Sequence, residues 1–218
     1  MDAWTIEPYG SRAWLVRFGD ELSAGVLAHA VAVARALEAS PPAGLREFTM
    51  GYATVLLEFG VEIEEERVRE IADVLQSLPA RRMHAAPRRV DIPVVYDGED
   101  LPAVARHTGM DEAEVIRRHS GRDYQVWLLG FAPGFAYLGV VDAALHMPRR
   151  AVPRPRIAAG SVAIAGLQTG VYPSDSAGGW QVIGRTARRM FDPGNAADPF
   201  LLHPGDTVRF TVVAAGDV

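Results

Sequence analysis

A chain of 218 residues with 49% hydrophobic and 22% charged side chains can bury one large core or two small ones, and has the balance of a folded protein in water. It has no cysteine, which excludes disulfides, thiolate metal sites and a cysteine nucleophile; all 22 basic residues are arginine, which excludes a Schiff-base lysine, a biotinylated lysine and the lysine of a Walker-type phosphate loop. The formal net charge of −5 argues against nucleic acid as a partner, and it falls wholly in residues 1–87, whereas residues 88–218 balance 14 arginines against 14 acids.

Trp4 to Pro8 and Ala13 to Phe18 read as two short strands around Tyr9-Gly10-Ser11. A helix follows, with Asp20 or Ser23 as its cap and Leu27, Ala30, Val31, Ala34 and Leu37 at helical spacing, and Pro41-Pro42 stops it. His29 falls away from that stripe. Leu45 to Thr49 and Ala53 to Phe59 form a second strand pair, with Val55, Leu57 and Phe59 on one face. Glu64 to Leu78 is a helix whose stripe is Val68, Ile71, Leu75 and Leu78; its first-turn glutamates face the positive end of the helix dipole and read as a solvated start rather than a metal site. The order predicts an α+β layer domain over residues 1–84, and Pro79 to Pro87 is the candidate linker.

Beyond it, Arg89 to Tyr96 reads as a strand. Leu101 to His107 is a short helix with Pro102 in its first turn and Gly109 as its stop, and Asp111 caps another through His119. The pair imitates a helix-turn-helix, but Asp111, Glu112 and Glu114 stand where phosphates would approach, which argues against the DNA-binding reading. Tyr124 to Leu129, Ser161 to Ile164, Trp180 to Gly184 and Thr207 to Val213 are short strands between Gly/Pro-rich turns, predicting a mainly β barrel or sandwich over residues 88–218. Arg35 and Glu38 break the alanine-rich run Gly25 to Ala39, so no window has the roughly 18 apolar residues of a membrane span, and Met1-Asp2-Ala3-Trp4 lacks a secretory pattern. The expectation is a cytoplasmic protein.

The chemistry concentrates between Gly130 and Arg185, where glycine, proline and aromatic residues interleave without period, as in ordered loops that build a site. Arg149, Arg150, Arg154 and Arg156, held extended by Pro148, Pro153 and Pro155, are suited to presenting guanidinium forks to carboxylate or phosphate, Arg154 foremost; solvated pairing with surface acids is the competing reading. Gln168, Thr169, Tyr172, Ser174 and Asp175 supply hydrogen-bonding groups beside Gly178-Gly179-Trp180, for a small amide or for the turn backbone itself. The six histidines form no metal set; His203 reads as scaffold, and His146, beside the arginines, is the better candidate for proton transfer. Ser161 lacks the second glycine of a nucleophile elbow.

These motifs, Gly130-Phe131-x-Pro133-Gly134-Phe135-x-Tyr137-Leu138-Gly139, Pro153-Arg154-x-Arg156, Gly160-Ser161-Val162, Gln168-Thr169-Gly170-Val171-Tyr172-Pro173, Gly178-Gly179-Trp180, Ile183-Gly184-Arg185-Thr186 and Leu202-x-Pro204-Gly205-Asp206, resemble the family that includes the B subunit of 5-oxoprolinase, KipI and allophanate hydrolase subunit 1. The N-terminal part resembles it more loosely, with Met50-Gly51 where a proline and a small residue are expected. The resemblance implies an α+β domain followed by a cyclophilin-like β-barrel, half of a carboxyltransferase-type module. It implies a homologous C-type subunit and a lactam-utilisation-type A subunit as partners, and ATP-dependent opening of 5-oxoproline to glutamate by the assembled complex, with no metal site in this chain. The substrate-binding or subunit-shared pocket is then expected to draw on Phe131, Pro133, Gly134, Phe135, Tyr137, Arg154, Gln168, Thr169, Tyr172, Pro173, Gly179, Trp180 and Arg185. Inhibition of a histidine kinase, as the KipI resemblance implies, and carboxyl transfer on urea or allophanate, which needs a biotin carrier elsewhere, are the alternatives.

Overall fold

The computed structural model describes residues 4–19, 24–78 and 88–217. The chain divides into two compact units, Met1–Ala86 and Pro87–Val218. The candidate linker Pro79 to Pro87 and the candidate caps Asp20 and Ser23 lie outside the described residues.

Unit 1 comprises β1 (Thr5–Pro8), β2 (Ala13–Arg17), α1 (Ala24–Ala39), β3 (Leu45–Met50), β4 (Thr54–Phe59) and α2 (Glu65–Gln76). The strands form an antiparallel sheet in the order β1-β2-β4-β3. Because side chains alternate across a strand, Trp14 and Val16 share a buried face with Val55, Leu57 and Phe59, and the helices cover it with Ala30, Val33 and Leu37 from α1 and Val68, Ile71 and Leu75 from α2. Leu78, counted in the α2 stripe, lies past the helix end and is half-buried. In α1, Val33 is fully buried and Ala34 only half so, a correction to the expected stripe. The larger valine removes more apolar area from water and so sets the rotation of the helix. His29 is also corrected. It sits in the packed layer, where its Nε2 lies 3.1 Å from the Leu75 carbonyl and its ring stands edge-on to Trp4.

Unit 2 comprises β5 (Arg89–Val94), α3 (Leu101–Thr108), α4 (Glu112–Ser120), β6 (Asp123–Leu129), β7 (Ala136–Gly139), β8 (Arg154–Ile157), β9 (Ser161–Ala165), β10 (Gln168–Val171), β11 (Ser176–Gly178), β12 (Gln181–Arg185) and β13 (Thr207–Val212). Seven strands form one sheet in the order β12-β9-β10-β7-β6-β13-β5, and β8 and β11 form a separate ribbon. All neighbours in the large sheet are antiparallel except β5 and β13, which run parallel. Past the end of β5, Val95 exchanges backbone hydrogen bonds of 2.9 and 2.8 Å with Arg185 of β12, which joins the two edges into a nearly closed barrel. Ile92, Tyr124, Leu138, Ile164, Ile183 and Phe210 belong to its packed core, together with Val104 of α3 and Val115 of α4.

The short helices end as their sequences dictate. Gly109 takes the left-handed φ of 69° after α3, and the Asp111 carboxylate accepts the Glu114 backbone N–H at 2.7 Å ahead of α4. Between Gly130 and Arg185 the turns also carry four short strands that the sequence does not predict, β7, β8, β10 and β11, beside the two expected ones. Among the described residues, no helix is long and apolar enough to cross a membrane.

Candidate functional site

The turn between β6 and β7 begins the site. The Ala132 N–H donates to the Gly130 carbonyl at 2.9 Å across Phe131, whose φ is +72°, and the Gly130 N–H donates to Phe135 at 3.1 Å. This is the tight three-residue γ-turn with positive φ, costly for a side chain with a Cβ. Gly134, at φ +84°, lets the return strand press against Met190 and Phe191.

Inside that turn, Phe135 is the hub of an aromatic cluster. Its ring centroid lies 5.4 Å from Phe131, 5.0 Å from Tyr137, 5.3 Å from Tyr172 and 5.4 Å from Trp180, each pair edge-to-face. The fold thus brings five of the expected site aromatics together, but not as an open lining. Phe135, Tyr172 and Trp180 are buried with Ile157, Ala163, Ala165 and Val182, Tyr137 is partly buried, and Phe131 stands outward with 63% of its surface exposed. Burial raises the Tyr172 hydroxyl above its ordinary pKa, a shift opposed by the Trp180 backbone hydrogen bond and the Arg149 charge. Gly178 leaves the space that the Tyr172 hydroxyl fills, and a Cβ on Gly179 would stand 3.7 Å from Pro153 Cγ and 3.9 Å from Arg149 Cβ. The arginine loop therefore lies beside the cluster.

Arg154 does not offer its fork to a ligand. Its Nη1 and Nη2 donate to the two oxygens of Asp100 at 2.8 Å each, and its Nε faces Glu99 at 2.9 Å. Asp100 sits at the start of α3 yet leaves the helix uncapped by its side chain; the carboxylate also takes Arg150 Nη1 at 3.0 Å and the Val182 N–H at 2.7 Å. Burial alone would raise this carboxyl, but the Arg154 and Val182 hydrogen bonds and the two guanidinium charges outweigh it and hold the group below its ordinary value. Arg156 is likewise engaged, by Asp175, whose other oxygen accepts the Ala159 N–H. That leaves Arg149, exposed and, among the described residues, without a carboxylate partner.

Other expected members lie elsewhere. Arg185 pairs with Asp97 at 2.9 Å next to the barrel-closing bridge. Thr169, one residue along β10 from the half-buried Gln168, points to the opposite side of the sheet and is fully buried. Its Oγ1 donates to the Ala163 carbonyl and accepts from His119 Nε2 at 2.8 Å, and the Tyr96 hydroxyl donates to His119 Nδ1 at 2.7 Å. His119 stacks on Phe210 and is wholly buried, which pushes its pKa down to about 3. Pro133 is exposed on the turn and Pro173 half-buried beside Tyr172. His203 is held by Asp198 at 3.0 Å and faces Arg88 at 3.1 Å, while His146 is exposed at the end of a 3-10 turn, Ala143–Leu145. Ser161 opens β9 and is buried. Neither a cleft of about 600 Å³ between α1 and α2 nor one of about 250 Å³ at Arg88, Arg189 and Phe200 includes an expected site residue.

His119 carries a pH prediction. The unfolded chain takes up a proton near pH 6.5 and the folded one only near 3, so the unfolded state binds more protons between these values and stability falls as the pH drops through them. The slope is about 1.4 kcal/mol per pH unit for one such group. Urea titrations at pH 6.5 and pH 4.5 should show His119→Gln, though less stable overall, losing less stability over that interval than the wild type by about one proton's worth.

Two of the missed residues, Asp100 and His119, lack any local signal that would have found them, because their side-chain partners lie 23 or more positions away. Phe131 was marked by its Gly-Phe-x-Pro-Gly setting, but its outward pose follows only from the backbone.

The carboxyltransferase domain, subdomain C and D, family matches residues 4–202. The B subunit of Bacillus subtilis 5-oxoprolinase is 36% identical over 98% of this chain and 95% of its own length. That of Escherichia coli O157:H7 is 54% identical over 56% of this chain, a match that spans only 57% of the E. coli protein. Among solved structures, TTHA0988 is 41% identical with a TM-score of 0.81 over 94% of this chain and 40% of its own. The Kluyveromyces lactis urea amidolyase shares the fold, at 20% identity and a TM-score of 0.76 over 98% of this chain and 15% of its own. On the family match and the near full-length relationship to the B. subtilis protein, this chain belongs to the carboxyltransferase subdomain C and D family, in the group of the 5-oxoprolinase B subunits.

Proposed function

We propose that this chain is one component of an ATP-dependent 5-oxoprolinase, a lactam hydrolase that opens 5-oxoproline to glutamate, and that it is inactive alone. The single observation that carries the reading is the 36% identity, over nearly the whole of both chains, to a 5-oxoprolinase B subunit. The chemistry of the site supports it. Of the strongly displaced titratable groups of unit 2, His119 and Tyr124 are sealed in the core and Tyr96 is partly buried against it, and Asp100 is held by two arginines. The exposed Phe131, Pro133 and Arg149, beside the half-buried Gly178-Gly179 corner, are suited to binding and orienting rather than to transferring protons. A homologous C-type subunit completes the site, and a lactam-utilisation-type A subunit makes up the rest of the complex. ATP enters as a co-substrate of that complex. The assembly works in the cytoplasm.

Reconstitution tests this. With this chain and its C-type and A-type partners present, glutamate release from 5-oxoproline and ATP is expected; with this chain left out it should fall to background, and undiminished release defeats the proposal. Histidine-kinase inhibition has no observation of its own in its favour, and the likeness to urea amidolyase is one of fold.

A further inference from the structure

Phe131 is the one non-glycine residue with positive φ among the described residues, and burial does not explain it. At φ +72° an L side chain crowds its own backbone, and a glycine would occupy the turn without that cost. Yet the position carries a large apolar ring left 63% exposed. Nor is the ring loose. It stands edge-on to Phe135 at 5.4 Å and to Tyr172 at 6.4 Å, both buried, so a rigid layer fixes its direction. Strain of this kind, kept where packing gains little, marks a position whose use lies outside the fold.

The surroundings point to a polypeptide. Pro133 is exposed on the same turn. Beneath the ring, the buried Tyr172 reaches Gly178 with its hydroxyl, and the adjoining half-buried Gly179 lies beside Pro153 and the carboxylate-free Arg149, both exposed. An aromatic anchor with arginine at its rim is the composition favoured in protein interfaces. In TTHA0988 the region matching this chain is only 40% of one continuous polypeptide, so the module occurs joined to further protein.

We infer that Phe131 is the docking anchor for a second polypeptide, which receives the ring in an apolar socket and offers a carboxylate to Arg149. The inference rests on the proposed function for its occupant, the homologous C-type partner. The strained turn is the cost of holding the anchor ready, which makes binding and stability respond in opposite directions.

The test measures the affinity of the full chain for the purified C-type partner by calorimetry, together with the melting temperature of the chain alone. Phe131→Gly should weaken binding by about 30-fold or more, the loss typical of an anchor residue, while the melting temperature holds or rises by a few degrees. Phe131→Tyr should keep binding within about threefold. Unchanged affinity in Phe131→Gly overturns the inference and leaves the proposed function standing. A melting temperature lowered by several degrees in Phe131→Gly assigns the ring a structural role and overturns it as well. Absence of any association between the wild-type chain and the C-type partner overturns both.

Discussion

Asp100→Ala is expected to lower the stability of unit 2 by roughly 3–5 kcal/mol, the usual cost of removing one partner from a buried ion pair. In a unit of this size that corresponds to a fall in melting temperature on the order of 10 °C or more, measurable by calorimetry. The carboxylate is 5% exposed and satisfies Arg154 through two bonds, Arg150 through one and the Val182 N–H through another. Its removal leaves a guanidinium that is only 16% exposed with the exposed Glu99 as its one remaining carboxylate, beside a backbone donor that has lost its acceptor. Arg154→Met placed on top of Asp100→Ala should recover part of the loss, because the penalty lies in a mostly buried charge left with only the exposed Glu99 beside it; no recovery would mean that the ion pair is not the source. The Asp100 carboxyl is held below its ordinary pKa, so its contribution is present above the unfolded-state value and is lost as the pH falls through the folded-state one.

Phe135→Ala should cost roughly 3–5 kcal/mol as well, by deleting a buried ring and leaving a cavity. The position is 2% exposed and touches four other aromatic rings. Near-UV circular dichroism should lose intensity as Tyr172 and Trp180 lose their common neighbour, and affinity for the C-type partner should fall with it, since Phe131 loses its backing. A variant as stable as the wild type would show that the ring is not the hub of the cluster.

The sequence is legible where the signal is local. Alternation over Val55, Leu57 and Phe59 and the stripe Val68, Ile71, Leu75 predict buried faces that the fold keeps, and Gly109 and Asp111 end and begin helices by their own backbone and side-chain chemistry. Four short strands within the Gly130 to Arg185 stretch escape notice because they are glycine- and proline-rich. The pairing of β8 with β11 and of β10 with β9 comes from neighbours rather than from propensity. The site is legible in composition but not in pose. Arginines near prolines do announce an anion, yet that anion is Asp100 of the same chain, and the aromatics do gather, yet most serve as the foundation for one that projects.

The place of β5 in the barrel bears on how unit 2 is made. Its ladder partner is β13, the last strand of the unit in chain order, and past its far end the Val95 to Arg185 bridge ties it to β12. During vectorial synthesis the first-made strand of the unit waits unpaired, with the apolar face of Val90, Ile92 and Val94 uncovered, until nearly all of its companions have emerged. The nascent chain thus passes through a long interval in which that apolar face has no ladder partner of its own.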